Sequence, residues 1–485
     1  MDSALKSQNV PDDGVQKTSK ESLDAKTVRR ICVEALFGQY DYDLVPDDVS
    51  TDISSILILY GDNGSGKTTI LGLLFHLLSS SNKEGHRNTI ARIPFRKFEV
   101  TLTDGTRISL WRNEELVGPY EILAEPIGRP AIKGSFGSAE KKSSFIPEGF
   151  ERDFLGFLEG LNQSLYFLPA DRTIVSDSIP SKDLEHTTST LEQDMLRALN
   201  HPVSEEQRAL RLEELRNVAR ANALALAMRI SKEWIRNQAL RATTRGAANA
   251  NSIYVDILKR LSASPLFANK VPEIDHGQLV DKIREVALQS QEYSRFGFTS
   301  QLRIDEMLRI FSQSNDQTAP VIQTVLEQYI NVNSARLDAL KNLYVLTSTI
   351  IDNLNQFYTG KTVTFKLTDG FQIVRDDGKP IEPTWLSSGE QQLFLMFCHV
   401  LTCRDKRSIF IIDEPEISLN IKWKRNLITS LLSIAHGAEV QFIFASHSME
   451  LTSEHLDNVI KLKSRASTKV LQKAEVEKIG PASNS

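Results

Sequence analysis

The chain has few cysteines, no long apolar run and no excess of positive charge, and each absence narrows what it can be. Three cysteines in 485 residues (Cys32, Cys398 and Cys403) are too few and too scattered for a disulfide framework, and they fit a reducing compartment. Cys398 and Cys403 fall in one apolar helical stretch, so both are expected to be packing residues. His, Cys, Asp and Glu nowhere cluster at metal-ligand spacing. No run of about 18 apolar residues is there to span a bilayer. The polar start, MDSALKSQNVPDDGVQKTSKESLD, lacks the apolar core of a signal peptide. The expectation is a cytoplasmic protein with no membrane partner. A formal net charge of -5 excludes a chain that is basic overall, so contact with DNA would need a local patch.

What the chain does hold is globular in type, with 41% hydrophobic and 25% charged residues, in a length that suits about two or three domains. Two strand-like runs come first, RRICVEALF and SSILILY, the second apolar throughout as a buried strand requires. It ends at Tyr60, gives way to GDNGSGKTT, and is followed by the apolar helix TTILGLLFHLLSS. KFEVTLTDGTRISLWRN alternates around Asp104-Gly105 and reads as a hairpin. Residues Gly128 to Gly149 read as a loop, and SLYFLPADR as a short buried strand. From about Thr190 to Phe357 the pattern is helical, with breaks at 245–252, 264–277 and 312–320. No heptad run is long enough for an extended coiled coil, so a compact lobe is expected. A second hairpin, TVTFKLTDGFQIVRDDGK, precedes WLSSGEQQLFLMF, and the strands SIFIID and VQFIFASHS follow. The expected organisation is one α/β head in two pieces, residues 28–185 and 358–463, split by a helical insertion at 186–357. Residues 1–27 and 464–485 have the composition of mobile tails.

Gly61-Asp62-Asn63-Gly64-Ser65-Gly66-Lys67-Thr68 fills every position of G-x-x-x-x-G-K-[ST], between a strand and a helix. Glycines let backbone N–H groups wrap round phosphate oxygens, and the helix start adds its positive dipole end. The candidate nucleotide contacts are Asp62, Asn63, Gly64, Ser65, Gly66, Lys67, Thr68 and Thr69. Lys67 would reach the β- and γ-phosphates, and Thr68 would ligate Mg²⁺. A plain Gly-rich turn is the alternative, and the strand–helix setting weighs against it. SIFIIDEPE delivers Asp413 and Glu414 at the end of a buried strand, the edge where open α/β sheets bind ligands. Asp413 is the candidate for the Mg²⁺ shell, and Glu414 is the candidate to polarise the attacking water. His447 ends the VQFIFASHS strand and would stand beside both acids if the two strands are neighbours, poised to sense a γ-phosphate. An isolated histidine of this kind is more often a surface or core residue. Ser387 and Glu390 form the N-cap and N3 of a capping box.

Leu386-Ser387-Ser388-Gly389-Glu390 resembles the signature motif of ABC-type ATPases, which precedes the Asp-Glu strand by a helix. Ser418-Leu419-Asn420 occupies the place of that family's D-loop. The order of phosphate loop, signature, Asp-Glu strand, D-loop and histidine is complete. The resemblance implies an α/β fold: an ABC-type P-loop ATPase head, a mixed sheet with helices, interrupted by a compact and mainly helical insertion. It implies ATP and Mg²⁺ as cofactors, and hydrolysis of ATP to ADP and phosphate. Because the signature in this family caps the γ-phosphate of a facing subunit, it also implies a head-to-head homodimer or a higher homo-oligomer. Lys67 and Ser387 stand some two-thirds of the chain apart, unlike transporter ATPase subunits, a third and weaker reading. That spacing is similar to the SMC-like branch, including OLD-type ATPases. DEPEISL, LSSGEQQ and FLPADR resemble the ATPases of prokaryotic anti-phage systems, PARIS and Septu in particular. This implies a separate effector, a Toprim-type or other nuclease, and a phage-encoded trigger protein. The alternative is an SMC-like DNA-binding ATPase in repair or chromosome maintenance. The long coiled coil of SMC proteins and the Toprim domain of OLD nucleases have no counterpart here.

Three positions fit that pattern less well. The family's Q-loop glutamine should follow a strand, yet Gln163 precedes one, and Asp171 or Arg172 occupies the place where the loop would start. Phe37 or Tyr40 in LFGQYDY is the candidate to stack on adenine, with core packing the plainer reading. After Glu214 the arginines run almost unopposed (Arg216, Arg220, Arg229, Arg236, Arg241, Arg245), as a partner face or a solvated one. Leu215, Val218, Ala225 and Met228 should turn the other face of that helix to a core.

Overall fold

The computed structural model describes residues 26–46, 56–81, 85–113, 115–136, 149–170, 175–176, 214, 217–218, 220–245, 276–313, 319–417 and 419–463. The first part supplies strands β1 (Val28–Leu36), β2 (Tyr40–Leu44) and β3 (Ile56–Tyr60), then helices α1 (Lys67–Leu78) and α2 (His86–Arg92). Strands β4 (Lys97–Leu102), β5 (Arg107–Trp111), β6 (Tyr120–Glu125) and β7 (Ile132–Phe136) follow, then α3 (Phe150–Gly160), β8 (Gln163–Leu168) and β9 (Val175–Ser176). Helices α4 (residues 220–245), α5 (His276–Ser294), α6 (Asp305–Ser312) and α7 (Ala319–Phe357) come next. The last part runs β10 (Lys361–Lys366), β11 (Gly370–Arg375), β12 (Pro380–Ile381), α8 (Ser388–Thr402), β13 (Arg407–Asp413), α9 (Ile421–Ala435), β14 (Val440–Ser446), α10 (Met449–Thr452) and β15 (Val459–Lys461).

The central sheet has the order β15-β3-β14-β13-β8-β9, and all its pairings are parallel except that of β8 with β9. Strands from both ends of the sequence interleave in it, and this fixes the fold class as mixed α/β. Alternate residues of each strand point to opposite faces. Ile56, Ile58, Tyr166, Leu168, Phe410, Ile412, Phe442 and Phe444 join the core beneath the helices. Leu57, Leu59, Leu165, Phe167, Ile409, Ile411, Ile443 and Ala445 join the opposite core. Burial on both faces is why SSILILY, SIFIID and VQFIFAS lack polar alternation.

Helix α1 and an antiparallel sheet of order β2-β1-β4-β5-β6-β7 cover that second face. Gln441 ties the sheets together: its side chain accepts from the Val28 N–H and donates to the Val28 carbonyl, both at 2.8 Å. The hairpin expected around Asp104-Gly105 is β4–β5. The stretch expected as a loop from Gly128 to Gly149 instead contains β7. Its Ile-Lys-Gly-Ser-Phe lacks the β-branched alternation that announces a strand. Gly134 is needed there because a Cβ would lie 2.4 Å from the Phe150 ring of α3.

The helices and the head share one core, in which Leu224, Ile235, Leu354 and Phe357 pack with Phe394 and Phe397 of α8. α7 is 39 residues long, about 58 Å at 1.5 Å per residue, and Tyr344 stacks on Tyr293 of α5 with ring centroids 4.3 Å apart. The buried face of α4 is Leu224, Ala227, Ser231, Ile235, Ala239 and Ala242. Met228 is half-buried and packs against this core as expected, Val218 and Ala225 are exposed instead, and Leu215 lies outside the described residues. A shift of one position rotates a helix face by about 100°, so the larger side chains Leu224 and Ile235 set the phase. None of the described helices is long and apolar enough to cross a membrane.

Candidate nucleotide site

The register of the central sheet puts three strand ends at one edge. Tyr60 pairs with Ser446, and Asp413 pairs with Ala445. β14 therefore lies between β3 and β13, and the neighbouring strands on which the placing of His447 depended are neighbours. The Gly61 N–H donates to the Ser446 carbonyl at 3.4 Å, and the Glu414 N–H to the Ala445 carbonyl at 2.9 Å.

The loop after β3 turns on Gly64 and Gly66, at φ 82° and 87°. A Cβ on Gly66 would come within 2.7 Å of Leu36. From β2, the Tyr42 hydroxyl donates to the Ser65 carbonyl at 2.9 Å. Lys67 is only 5% exposed, and its ammonium folds back to donate to the Gly61 and Asp62 carbonyls at 2.7 and 2.9 Å. Helix α1 starts at Lys67 with no side-chain cap and no acid in its first turn. Its first N–H groups and dipole are left for an anion. Asp62, Asn63, Gly64 and Thr68 are exposed, and Ser65, Gly66 and Thr69 are half-buried.

Asp413 is 1% exposed, and among the described residues neither carboxylate oxygen has a partner at full hydrogen-bonding geometry. Burial pushes its pKa up, the Thr68 hydroxyl and the Lys67 ammonium pull it back, and Glu414 and Glu416 add to the rise. An orphaned buried carboxylate beside a threonine hydroxyl suits a hard cation with oxygen ligands. Glu414 takes up φ 47°, the left-handed region that non-glycine residues seldom adopt. Its Oε1 lies 3.3 Å from His447 Nδ1. Glu416, which sequence reading passed over, completes the group. It is 2% exposed and accepts from the Ser446 hydroxyl at 2.5 Å and the His447 N–H at 3.1 Å. The only signal for it was a third acid in DEPE, and that is an ordinary turn composition.

The turn at Leu386–Glu390 is a complete capping box. The Ser387 N–H donates to Glu390 Oε2 at 2.7 Å, and the Glu390 N–H to Ser387 Oγ at 3.4 Å. Glu390 does more than cap. Lys361 donates to both of its oxygens at 3.0 and 2.7 Å, and the Tyr358 hydroxyl donates to its carbonyl at 2.9 Å. The end of α7 and the start of β10 thus hold the signature turn. Leu386 and Gly389 are buried, Ser387 and Ser388 are exposed, and Trp385 beside them is 67% exposed.

Other expected residues fall elsewhere. Gln163 opens β8 opposite Arg407 and donates to the Lys26 carbonyl. It lies at the far end of the sheet from Asp413, about 20 Å away at 3.3 Å per residue, so it is not brought to this edge. Tyr40 stacks on Tyr42 with ring centroids 5.8 Å apart. Phe37 is exposed at φ 55°, and its ring edge lies 3.7 Å from where a Gly66 Cβ would be. Leu419 is buried, and Asn420 caps α9 by accepting from the Trp423 N–H at 2.9 Å. Asp171, Arg172 and Ser418 lie outside the described residues.

Among solved structures, the chain is similar to three Smc head domains. One, with an extended coiled coil and bound to the C-terminal domain of ScpA, is from Pyrococcus furiosus: 12% identity, TM-score 0.34, covering 93% of this chain and 99% of that one. A second, with a coiled coil and joint, is from Pyrococcus yayanosii: 12% identity, TM-score 0.31, covering 93% and 99%. The third is an SmcHead bound to the C-winged helix domain of ScpA: 9% identity, TM-score 0.34, covering 91% and 95%. No curated protein matches the chain. Residues 56–453 match the family AAA_21, described as "AAA domain, putative AbiEii toxin, Type IV TA system". That span takes in the phosphate loop, the signature turn, the Asp-Glu strand and His447, and the chain belongs to the AAA_21 family of AAA-domain proteins.

Proposed function

We propose that the chain binds and hydrolyses ATP and uses the bound nucleotide to pair with a second copy of itself. The observation that carries this reading is the meeting of Lys67, Asp413, Glu414 and His447 at one sheet edge, with the Asp413 carboxylate buried and, among the described residues, without a partner at full hydrogen-bonding geometry. The phosphates lie along the N–H groups of residues 62–69, and Lys67 exchanges its loop carbonyls for phosphate oxygens. Thr68 and Asp413 would hold Mg²⁺, which when bound would neutralise charge on the phosphate oxygens. Glu414 takes a proton from the attacking water. The water oxygen bonds to the γ-phosphorus as the bond to the ADP oxygen breaks, and His447 steadies the water and the γ-phosphate.

The signature turn completes the site from the facing copy. Ser387, Ser388 and the helix start they open supply donors to its γ-phosphate, within the motif Leu386 to Glu390. By the same resemblance, the D-loop positions Ser418, Leu419 and Asn420 would meet the facing copy. Head segments 28–185 and 358–463 carry the chemistry, and the insertion at 186–357 responds to it through Tyr358 and Lys361. The motifs resemble the ATPase AriA of the PARIS system and PtuA of Septu. The toxin–antitoxin wording of the matching family points to the same kind of setting. We therefore read the chain as a cytoplasmic anti-phage switch that holds a separate effector, a Toprim-type or other nuclease, until a phage-encoded protein triggers release.

The second reading is an SMC-like DNA-binding ATPase. Arg229, Arg236, Arg241 and Arg245 are exposed on α4, although Arg236 pairs with Glu233 at 3.7 Å and Arg241 with Asp405 at 4.0 Å. Salt-dependent DNA binding that disappears when Arg229, Arg236 and Arg241 become Ala favours it. Phosphate release by the purified chain tests the common core of both readings. Wild type should turn over ATP, Lys67→Ala should bind none, and Glu414→Gln should bind but not turn over. Turnover by Glu414→Gln at the wild-type rate would remove Glu414 as the base.

A further inference from the structure

We propose that Glu416 is a positioning residue that sets His447 against Glu414, an assignment that rests on the ATP-hydrolysing reading above. Three donors or potential donors from consecutive residues converge on its Oε1. The Ser446 hydroxyl lies at 2.5 Å, the His447 N–H at 3.1 Å and His447 Nδ1 at 3.5 Å. Ser446 is itself held, since its hydroxyl accepts from the Ser448 N–H at 2.9 Å. The chain leaving β14 is therefore hung on a single carboxylate contributed by the turn after β13.

The His447 ring is caught between two acids. Its Nδ1 is 3.3 Å from Glu414 Oε1 and 3.5 Å from Glu416 Oε1, while the ring itself stays exposed. Glu414 cannot do the holding alone, because a base must be free to turn toward water. Glu416 is 2% exposed and cannot reach solvent or a nucleotide without breaking its bonds to residues 446 and 447. Among the described residues its other oxygen has no partner, a cost that a buried acid kept only for packing would not need. One buried acid fixes the strand end, and that strand end carries the ring that orients its exposed neighbour. A plain structural role makes a different forecast: loss of Glu416 would loosen the sheet edge and weaken nucleotide binding and stability together.

The test is a double-mutant cycle on steady-state ATP hydrolysis by the full chain, with equilibrium binding of a non-hydrolysable ATP analogue and thermal unfolding measured beside it. Glu416→Ala should lower kcat about ten- to a hundredfold, as expected when a reacting group is misplaced, with KM and analogue affinity within about twofold. Glu416→Gln keeps an acceptor oxygen and should recover most of the rate. In a His447→Ala background, Glu416→Ala should cost nothing more. Should Glu416→Ala not fold, Ser446→Ala takes its place in the same cycle. Multiplicative losses in the double variant, or parallel loss of analogue affinity, would overturn the assignment while leaving the hydrolytic reading in place. A wild-type chain without turnover would overturn both.

Discussion

Asp413 and Glu390 are both buried acids, 1% and 5% exposed, yet among the described residues one has no partner at full hydrogen-bonding geometry and the other has a full set. Glu390 receives Lys361 on both oxygens and the Ser387 N–H on one, so its charge is balanced within the chain. Asp413 has the Thr68 hydroxyl and the Lys67 ammonium nearby, but among the described residues neither of its oxygens has a partner at full hydrogen-bonding geometry. A buried polar group without a partner costs free energy, and the simplest reason to keep one is a ligand that supplies the partner. The signature turn is finished as it stands, and its exposed serines face outward. On the proposed function, the sheet edge is finished only when occupied.

Exchanging the two acids in turn should break the comparison in opposite directions. Asp413→Asn removes the uncompensated charge, so hydrolysis should fall by at least about a hundredfold while the metal-free protein unfolds a few degrees higher. Burial raises the Asp413 pKa, so the charged form costs stability once pH climbs through that value. The gain in the variant should therefore shrink as the acid side is approached, and a thermal melt at two pH values checks it. Glu390→Ala should do the reverse. It strands Lys361, which is partly exposed, removes the acceptor of the Ser387 N–H, one half of the capping box, and lowers stability by about 2 kcal/mol, with the affinity of a single copy for nucleotide unchanged. Denaturant titration and analogue binding measure the two parts. Tyr358→Phe, which deletes one buried donor to the Glu390 carbonyl, should cost about 1 kcal/mol. It should also weaken pairing more than nucleotide binding, since it loosens the turn from α7.

The smallest effect concerns both regions equally. Burial pushes His76 at the end of α1 and His399 in α8 down to about 4. Each lowered pKa gives stability that is complete above the unfolded value and is lost as pH falls toward 4. Unfolding midpoints should decline over that window, and less steeply after His76→Gln or His399→Gln.

Local chemistry made much of this legible in advance. Phosphate-binding loops need their glycines and lysine in a fixed order, buried parallel strands need continuous apolar runs, and Ser387 with Glu390 is a capping box by spacing alone. Relations between distant segments were not legible in that way. Lys361 and Tyr358 gave no sign that they would anchor Glu390, and Glu416 looked like any acid in a turn. β7 is held by α3 through Gly134 rather than by its own propensity, and although Gln163 is legible as the start of its strand, its distance from Asp413 could not be placed without the sheet. The phase of α4 was set by its deepest side chains, not by the first apolar spacing that fitted.

The central claim is that the open sheet edge of one copy is completed by the signature turn of another. Light scattering of Glu414→Gln with Mg-ATP measures it directly. The account predicts a mass near twice that of one chain with ATP, a single-chain mass with ADP, and loss of the ATP-dependent doubling when Ser388→Arg is added. An unchanged mass with ATP, or pairing that survives Ser388→Arg, would contradict it.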